Sequence, residues 1–482
     1  MAAARARRIN APLRHLAVVC AVLLFALLGR ATYIQAFDAG RLREDPDNRR
    51  PLITRFDRAM GEIVLRDGTV VATGRETGGT YRYRRVYPAG PLYAPVTGHL
   101  SRYGATGLER AEETVLSGTD SRVMVRSIMG GAAAGATVVL TVDGAAQRAA
   151  YEGLRATGRP GAAVAIDPVT GAILAMASFP SYDPNLYTTF DVEALERADA
   201  RLQADPAEPL LNRAIQRNYP PGSAFKVITG AAAIAAGHEP EETVSAPLAV
   251  RLPGTSVQLR NAHGSSCGNG LPSLAYAFKT SCNTPFAKLG VELGQDALRE
   301  QAEAFGFNAD DLAVPMPVAR SVYPAGMDAA QTAMSAVGQF DDRVTPLMLA
   351  MISAAVANGG SLMRPHLVRE VRLDDGTVIG ETEPAEYRRA LGTGDAERLA
   401  VMMATVTRPG GTGTAAAIPG VAVAAKTGTA ESAAGREDHA VFTGFAPAGS
   451  PRVAVGVVVE GGGSGGRVAA PIARAIMQAV LR

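Results

Sequence analysis

Residues 219–230 read YPPGSAFKVITG and open an alanine-rich apolar run that continues to Ala236. Pro220, Pro221 and Gly222 impose an extended approach and a tight turn, and the residues that follow have the composition of a buried helix. Ser223 stands in its first turn, where unpaired backbone N–H groups and the helix dipole favour a developing negative charge. Lys226, three residues on, shares its helical face. A serine hydroxyl is a poor nucleophile until a base takes its proton, and a lysine is such a base only when burial or a neighbouring cation lowers its pKa. Taken alone, the pair reads more readily as a serine cap and a solvated lysine.

Composition adds weight to the catalytic reading. Lys226, Lys279, Lys288 and Lys426 are the only lysines among 48 basic residues; arginine, which cannot act as a base, is used everywhere else. Two of the four fall in short motifs, SAFK (223–226) and KTGT (426–429), and a third motif, SCN (281–283), lies between them. Their wide separation is what a site assembled by folding requires. Lys279 and Lys288 show that a lysine by itself diagnoses nothing, and His439, just before an expected strand, reads as structural.

The remainder sets the context. A chain of 482 residues with 47% hydrophobic content suggests two to three packed domains. Net charge of +2 with interspersed signs, and no zinc-ligand spacing, argue against nucleic acid as a partner. Arg5, Arg7, Arg8 and Arg14 precede HLAVVCAVLLFALLG (15–29), whose uncharged core is short for a span but is extended towards Phe37 by Arg30 and Tyr33. No A-x-A-like cleavage site follows, so an uncleaved anchor with a cytoplasmic N-terminus is expected, with everything beyond residue 38 outside the cytoplasm. Cys267 and Cys282, the only cysteines there, are near enough in sequence to bridge in an oxidising compartment; two free thiols are the other reading.

Residues 39–137 read as an irregular module with no catalytic constellation. VVLTVDG (138–144) marks a new beginning, followed by a short amphipathic helix and a hairpin over 161–178, with DPVTG as its turn. Segments 421–431, 439–447 and 452–460 read as strands and 469–482 as a closing helix, so the sheet of one mixed α/β domain is completed by distant segments. EGGGSGG (460–466) reads as a flexible connection.

The order SAFK, SCN, KTGT resembles the S-x-x-K, S-x-N and K-T-G motifs of the penicillin-binding protein and serine β-lactamase superfamily. GAAVAIDPVTGAILAMASFPSYDPN, LNRAIQRNYPPGSAFK, SCNTPFAKLG and VTPLMLAMISAAVANGG resemble the monofunctional class B transpeptidases. YAPVTGHLSRYGATGLERAEETVLSGTD is similar to the N-terminal part of their actinobacterial penicillin-binding protein A-like members. The resemblance covers most of the chain. Gln339-Phe340 in place of the common Gln-Gly, and Val441 where an aromatic residue is usual, depart from the pattern and bear on local packing.

The resemblance implies a mixed α/β fold with a mostly antiparallel five-stranded sheet between helical clusters. It also implies a tail (1–14), an anchor (15–37), a pedestal (39–137) and a transpeptidase domain (138–482). Ser223 would attack the penultimate D-Ala of a stem peptide, and Lys226 would be the base. Ser281 and Asn283 would relay protons and hold the peptide. Lys426 would keep Lys226 neutral; Thr427, Gly428 and Thr429 would bind substrate, with the Ser223 and Thr429 amides as oxyanion hole. No cofactor is implied; the implied partners are stem peptides, β-lactams, the membrane, a cell-wall polymerase and other division or elongation proteins. Arg58, Gly61 and Glu109 match motif positions of the N-terminal part and read as structural or interaction residues, with a solvated surface as the other reading. The alternatives are a carboxypeptidase or β-lactamase-like hydrolase, and a β-lactam-sensing receptor or scaffold. The short tail leaves little room for a receptor's signalling segment.

Overall fold

The computed structural model describes residues 2–38, 55–128, 135–261, 264, 266–431 and 437–482; parts of the expected pedestal, 39–54 and 129–134, lie outside them. Two compact units result, residues 1–58 with 77–82, and residues 59–76 with 83–482. In the first, helix α1 (Ala2–Tyr33) continues into a π turn over Ile34–Asp38. Its segment Pro12–Phe37 has a mean hydropathy of 2.1 and is long and apolar enough to cross a membrane.

The second unit begins with three short strands, β1 (Ile63–Val64), β2 (Val70–Glu76) and β3 (Tyr83–Val86), and later β4 (Thr137–Leu140). Helix α2 (Gly144–Ala156) is capped by Asp143, whose carboxylate accepts the Ala145 and Ala146 amides at 3.0 Å. It leads to the hairpin β5 (Gly161–Ile166) and β6 (Ile173–Phe179). The hairpin forms where expected because Asp167 organises its turn, accepting the Val169 amide through its side chain and the Gly171 amide through its carbonyl, each at 2.9 Å. The middle of the chain is helical: α3 (Lys226–Ala235), α4 (Leu274–Lys279), α5 (Thr284–Ala304), α6 (Ala329–Ser335) and α7 (Pro346–Ala357). Two strands, β7 (Val368–Arg372) and β8 (Val378–Glu381), precede the final β9 (Ala424–Ala430), β10 (His439–Ala446), β11 (Val453–Val459) and helix α8 (Ala469–Leu481).

The central sheet has the order β9-β10-β11-β5-β6, and every neighbouring pair is antiparallel. Strand β11, VAVGVVV, is buried at every position because helices cover both faces. On one face, Ala150 and Leu154 of α2 and Ile472, Ile476 and Met477 of α8 pack with Val453, Val455, Val457 and Val459. On the other lies α7, PLMLAMISAAVA, buried along nearly its whole length, as a helix apolar on all sides must be. Strand β9 is an edge strand.

The N-terminal part is more regular than the sequence suggests. It forms a six-stranded sheet, β8-β7-β4-β1-β2-β3, in which β1 and β4 are parallel. Strands of two to seven residues leave little periodicity to read, and β7 and β8 arrive from residues 368–381. The expected division between 137 and 138 falls inside β4. Glu109 is fully buried and receives Arg85 Nε at 2.6 Å and the Tyr87 hydroxyl at 3.0 Å, while Arg85 also donates to the Gly61 carbonyl. Arg58 is exposed.

The glycine-rich stretch 460–466 is not a free connection. Gly463 donates its amide to the Asp438 carbonyl at 2.7 Å, and the Gly465 carbonyl accepts the first amides of α8, from Ala469 and Ala470. Backbone without side chains can lie flush against the sheet, which composition alone reads as flexibility.

Candidate active site

The turn before α3 is a 3-10 turn, Gly222–Phe225, and Lys226 continues it directly into the helix. In such a turn residues three apart eclipse, so Ser223 and Lys226 lie on one face. Gly222 has φ +52°, and a Cβ on it would fall 2.6 Å from the Thr429 carbonyl oxygen. A Cβ on Gly428 would fall 2.9 Å from the Pro221 carbonyl oxygen. These two glycines let the serine turn lie directly on edge strand β9, which brings SAFK and KTGT together.

The SCN motif forms the corner between α4 and α5. Ser281 takes φ +61°, a left-handed backbone uncommon for a residue with a Cβ. Three ties hold the corner there. Cys282 is disulfide-bonded to Cys267. Asn261, buried, accepts the Asn283 and Thr284 amides at 2.9 and 3.0 Å. Asn283 Nδ2 donates to the Arg260 carbonyl at 2.9 Å.

Ser281 then serves both lysines. Its carbonyl accepts from Lys226 Nζ at 2.8 Å, and its hydroxyl accepts from Lys426 Nζ at 2.7 Å. Lys226 also donates to Asn283 Oδ1 at 2.8 Å, and Lys426 to the Thr427 carbonyl at 2.9 Å. Both side chains are fully buried, over the Phe286 and Phe278 rings respectively. Burial, with added repulsion from Lys426, holds the Lys226 amine well below the ordinary lysine range. Burial lowers Lys426 to about 7. A neutral Lys226 spends its two N–H groups on Ser281 and Asn283 and keeps a lone pair to accept a proton. No hydrogen bond joins Ser223 to Lys226 here; such catalytic contacts commonly tighten only when substrate is bound.

Ser223, Ser281, Asn283, Thr427, Gly428 and Thr429 line one cleft of about 820 Å³, within the range that holds a small molecule or short peptide segment. Thr427 Oγ1 is fixed by Thr412 Oγ1 at 2.6 Å. The sequence reading gave no site role to Asn261, Thr412, Ser464 or Arg467, nor to Gln339, which it noted only as part of a departure from the family pattern. Four of these line the cleft, and Asn261 anchors its SCN corner. None stands at a diagnostic spacing; the glycines flanking Ser464 were the one local signal, read as flexibility. His439 lies outside the cleft and accepts the Gly461 amide at 3.1 Å, a structural bond.

Residues 161–478 match the family model of the penicillin binding protein transpeptidase domain, and residues 60–138 that of the penicillin binding protein A dimerisation domain. The chain is 43% identical to the peptidoglycan D,D-transpeptidase PbpA of Mycolicibacterium smegmatis, over 98% of this chain and 99% of that protein. Identity to PbpA of Mycobacterium tuberculosis is 42% over the same shares. The solved structure of M. tuberculosis penicillin-binding protein A as its penicillin G acyl-enzyme superposes with a TM-score of 0.84, covering 88% of this chain and all of that one at 42% identity. Its ceftriaxone acyl-enzyme gives 0.86, at 89% and 100% coverage and 42% identity. The chain therefore belongs to the penicillin-binding protein transpeptidase family.

Proposed function

We propose that the chain is a peptidoglycan D,D-transpeptidase that works through an acyl-enzyme on Ser223 and is inhibited covalently by β-lactams. The observation that carries this reading is the pair of buried lysines joined through Ser281 beside the serine turn. Lys226 takes the Ser223 hydroxyl proton as Oγ attacks the carbonyl carbon of the penultimate D-Ala. The tetrahedral oxyanion is received by the Ser223 and Thr429 amides, where one such donor is typically worth about 3 kcal/mol. The C–N bond breaks, the proton held by Lys226 passes to the departing D-Ala amine by way of Ser281, and the acyl ester remains. An acceptor amine attacks that ester, loses a proton to Lys226, and Ser223 recovers its hydrogen. Lys426 supplies the charge that keeps Lys226 neutral. Thr427 and Thr429 bind the substrate carboxylate, and a peptide laid along β9 completes its unpaired edge.

The homology of nearly the whole chain to transpeptidases supports this over a hydrolase built on the same serine. The apolar segment Pro12–Phe37 supports a membrane anchor, with residues 39–137 as pedestal and 138–482 as extracytoplasmic catalytic domain. A cell-wall polymerase is the proposed partner.

Fluorescent penicillin should label the full-length protein, with the label on the peptide containing Ser223. Equal labelling of Ser223→Ala would show the nucleophile to be another residue. Lys226→Arg keeps the charge yet should abolish acylation. Mass spectrometry of a stem-peptide donor should show product only with an acceptor amine; rapid turnover by water alone would favour a hydrolase.

A further inference from the structure

The segment between α6 and α7 cradles the serine turn. The Gly338 carbonyl accepts the Gly222 amide at 3.0 Å, and Tyr219 and Val344 exchange backbone bonds of 2.9 and 2.8 Å. Gln339, next to Gly338, lines the catalytic cleft. The two ends of this loop are joined by a hydrogen bond the mechanism does not use: Ser335 Oγ donates to Asp342 Oδ1 at 2.6 Å. Both residues are fully buried. Arg343 bonds the Phe340 and Asp342 carbonyls and the Asp341 carboxylate, and makes no ion pair with the Asp342 carboxyl. Its second oxygen is buried without a partner, as is the phenol oxygen of Tyr323, which stacks on Phe225 at 5.6 Å.

We propose that the Ser335–Asp342 hydrogen bond is a clasp that closes the 335–342 loop and holds Gly338 against Gly222, making Asp342 a positioning residue for Ser223. The inference rests on Ser223 being the acylated residue. Burial pushes the Asp342 carboxyl well above the ordinary range, against the opposing effects of Ser335 and Arg343 and with help from Asp341. The clasp is held in shape by the Ser335 hydrogen bond, without a salt bridge. Its leverage comes from its position: the loop it closes touches the chain on both sides of the nucleophile, at Gly222 through Gly338 and at Thr229, whose hydroxyl donates to the Ala336 carbonyl at 2.7 Å.

The test is penicillin acylation of the full-length protein in detergent, resolving the acylation rate constant from the preceding binding constant. Ser335→Ala and Asp342→Ala should each lower the rate constant by about 10–100-fold, the scale of a nucleophile misplaced by about 1 Å, with binding unchanged. Asp342→Asn should keep the wild-type rate, because its amide oxygen still accepts from Ser335. The double variant should be no slower than Asp342→Ala. A wild-type rate in Ser335→Ala, or a loss in Asp342→Asn equal to that in Asp342→Ala, overturns the clasp; these two decide the matter even if Asp342→Ala fails to fold. Wild-type label found away from Ser223 would instead remove the premise, and the clasp with it.

Discussion

Lys226 and Lys426 meet through a single residue: the carbonyl of Ser281 accepts from the first at 2.8 Å and its hydroxyl from the second at 2.7 Å. Two buried amines held this close cannot both stay protonated cheaply, and the repulsion falls on Lys226.

Acylation by penicillin should therefore follow a bell-shaped pH profile. The rising limb is the loss of the Lys226 proton. The falling limb, near pH 7, is the loss of the Lys426 ammonium, whose charge at the Ser281 hydroxyl favours the negative charge that develops in the cleft. Stopped-flow acylation rates across pH measure both limbs. A rate that only rises through pH 9 would show that the Lys426 cation is not required.

The same burial has a stability signature. Lys426 is depressed in the folded state relative to an unfolded value of about 10.4, so between about 7 and 10.4 the unfolded chain binds more protons and stability rises with pH. The cost of the buried ammonium is present in full below pH 7 and fades as pH rises. Lys426→Met removes that cost, so its stability relative to wild type should be highest at about pH 6 and should decline towards about pH 9. Urea unfolding of both proteins at the two pH values reads the difference, and a constant difference would contradict the shift.

The disulfide should matter to both stability and the site, since Cys282 lies between Ser281 and Asn283. Closing a separation of 15 residues restricts the unfolded chain by about 3 kcal/mol. Replacing Cys267 and Cys282 with serine should cost about that much and slow acylation, because the strained Ser281 corner loses one of its ties. Thermal unfolding with and without reductant, beside acylation kinetics, checks both effects.

Glu109 makes a contrasting case. Truncating one partner of its buried pair with Arg85 strands the other charge, so Glu109→Ala should destabilise by about 3–5 kcal/mol. Acylation by the folded fraction should not change, because Glu109 does not line the catalytic cleft. Denaturant unfolding and active-site titration separate the two.

Where local chemistry carries the signal, the sequence is legible. The turn at Asp167, the valines of β11 and the apolar run after Ser223 each specify their element from their own residues. Asn261 illustrates the opposite case: nothing nearby marks it, yet it accepts two amides of a corner 22 residues away. Arg85 pairs with Glu109 for a similar reason, since the fold and not motif spacing brings strand β3 against that buried carboxylate.

The sequence by itself determined that Ser223, Lys226, Ser281, Asn283 and the 426–429 strand are chemically suited to one another, because scarce lysines and special backbone residues stand inside three ordered motifs. Only the tertiary structure decided how they meet. Two glycines set the serine turn on β9, a left-handed Ser281 joins the lysines, and the 335–342 loop braces the turn. Distances and burial of that kind arise from chain segments hundreds of residues apart, and it is those that lower a lysine's pKa.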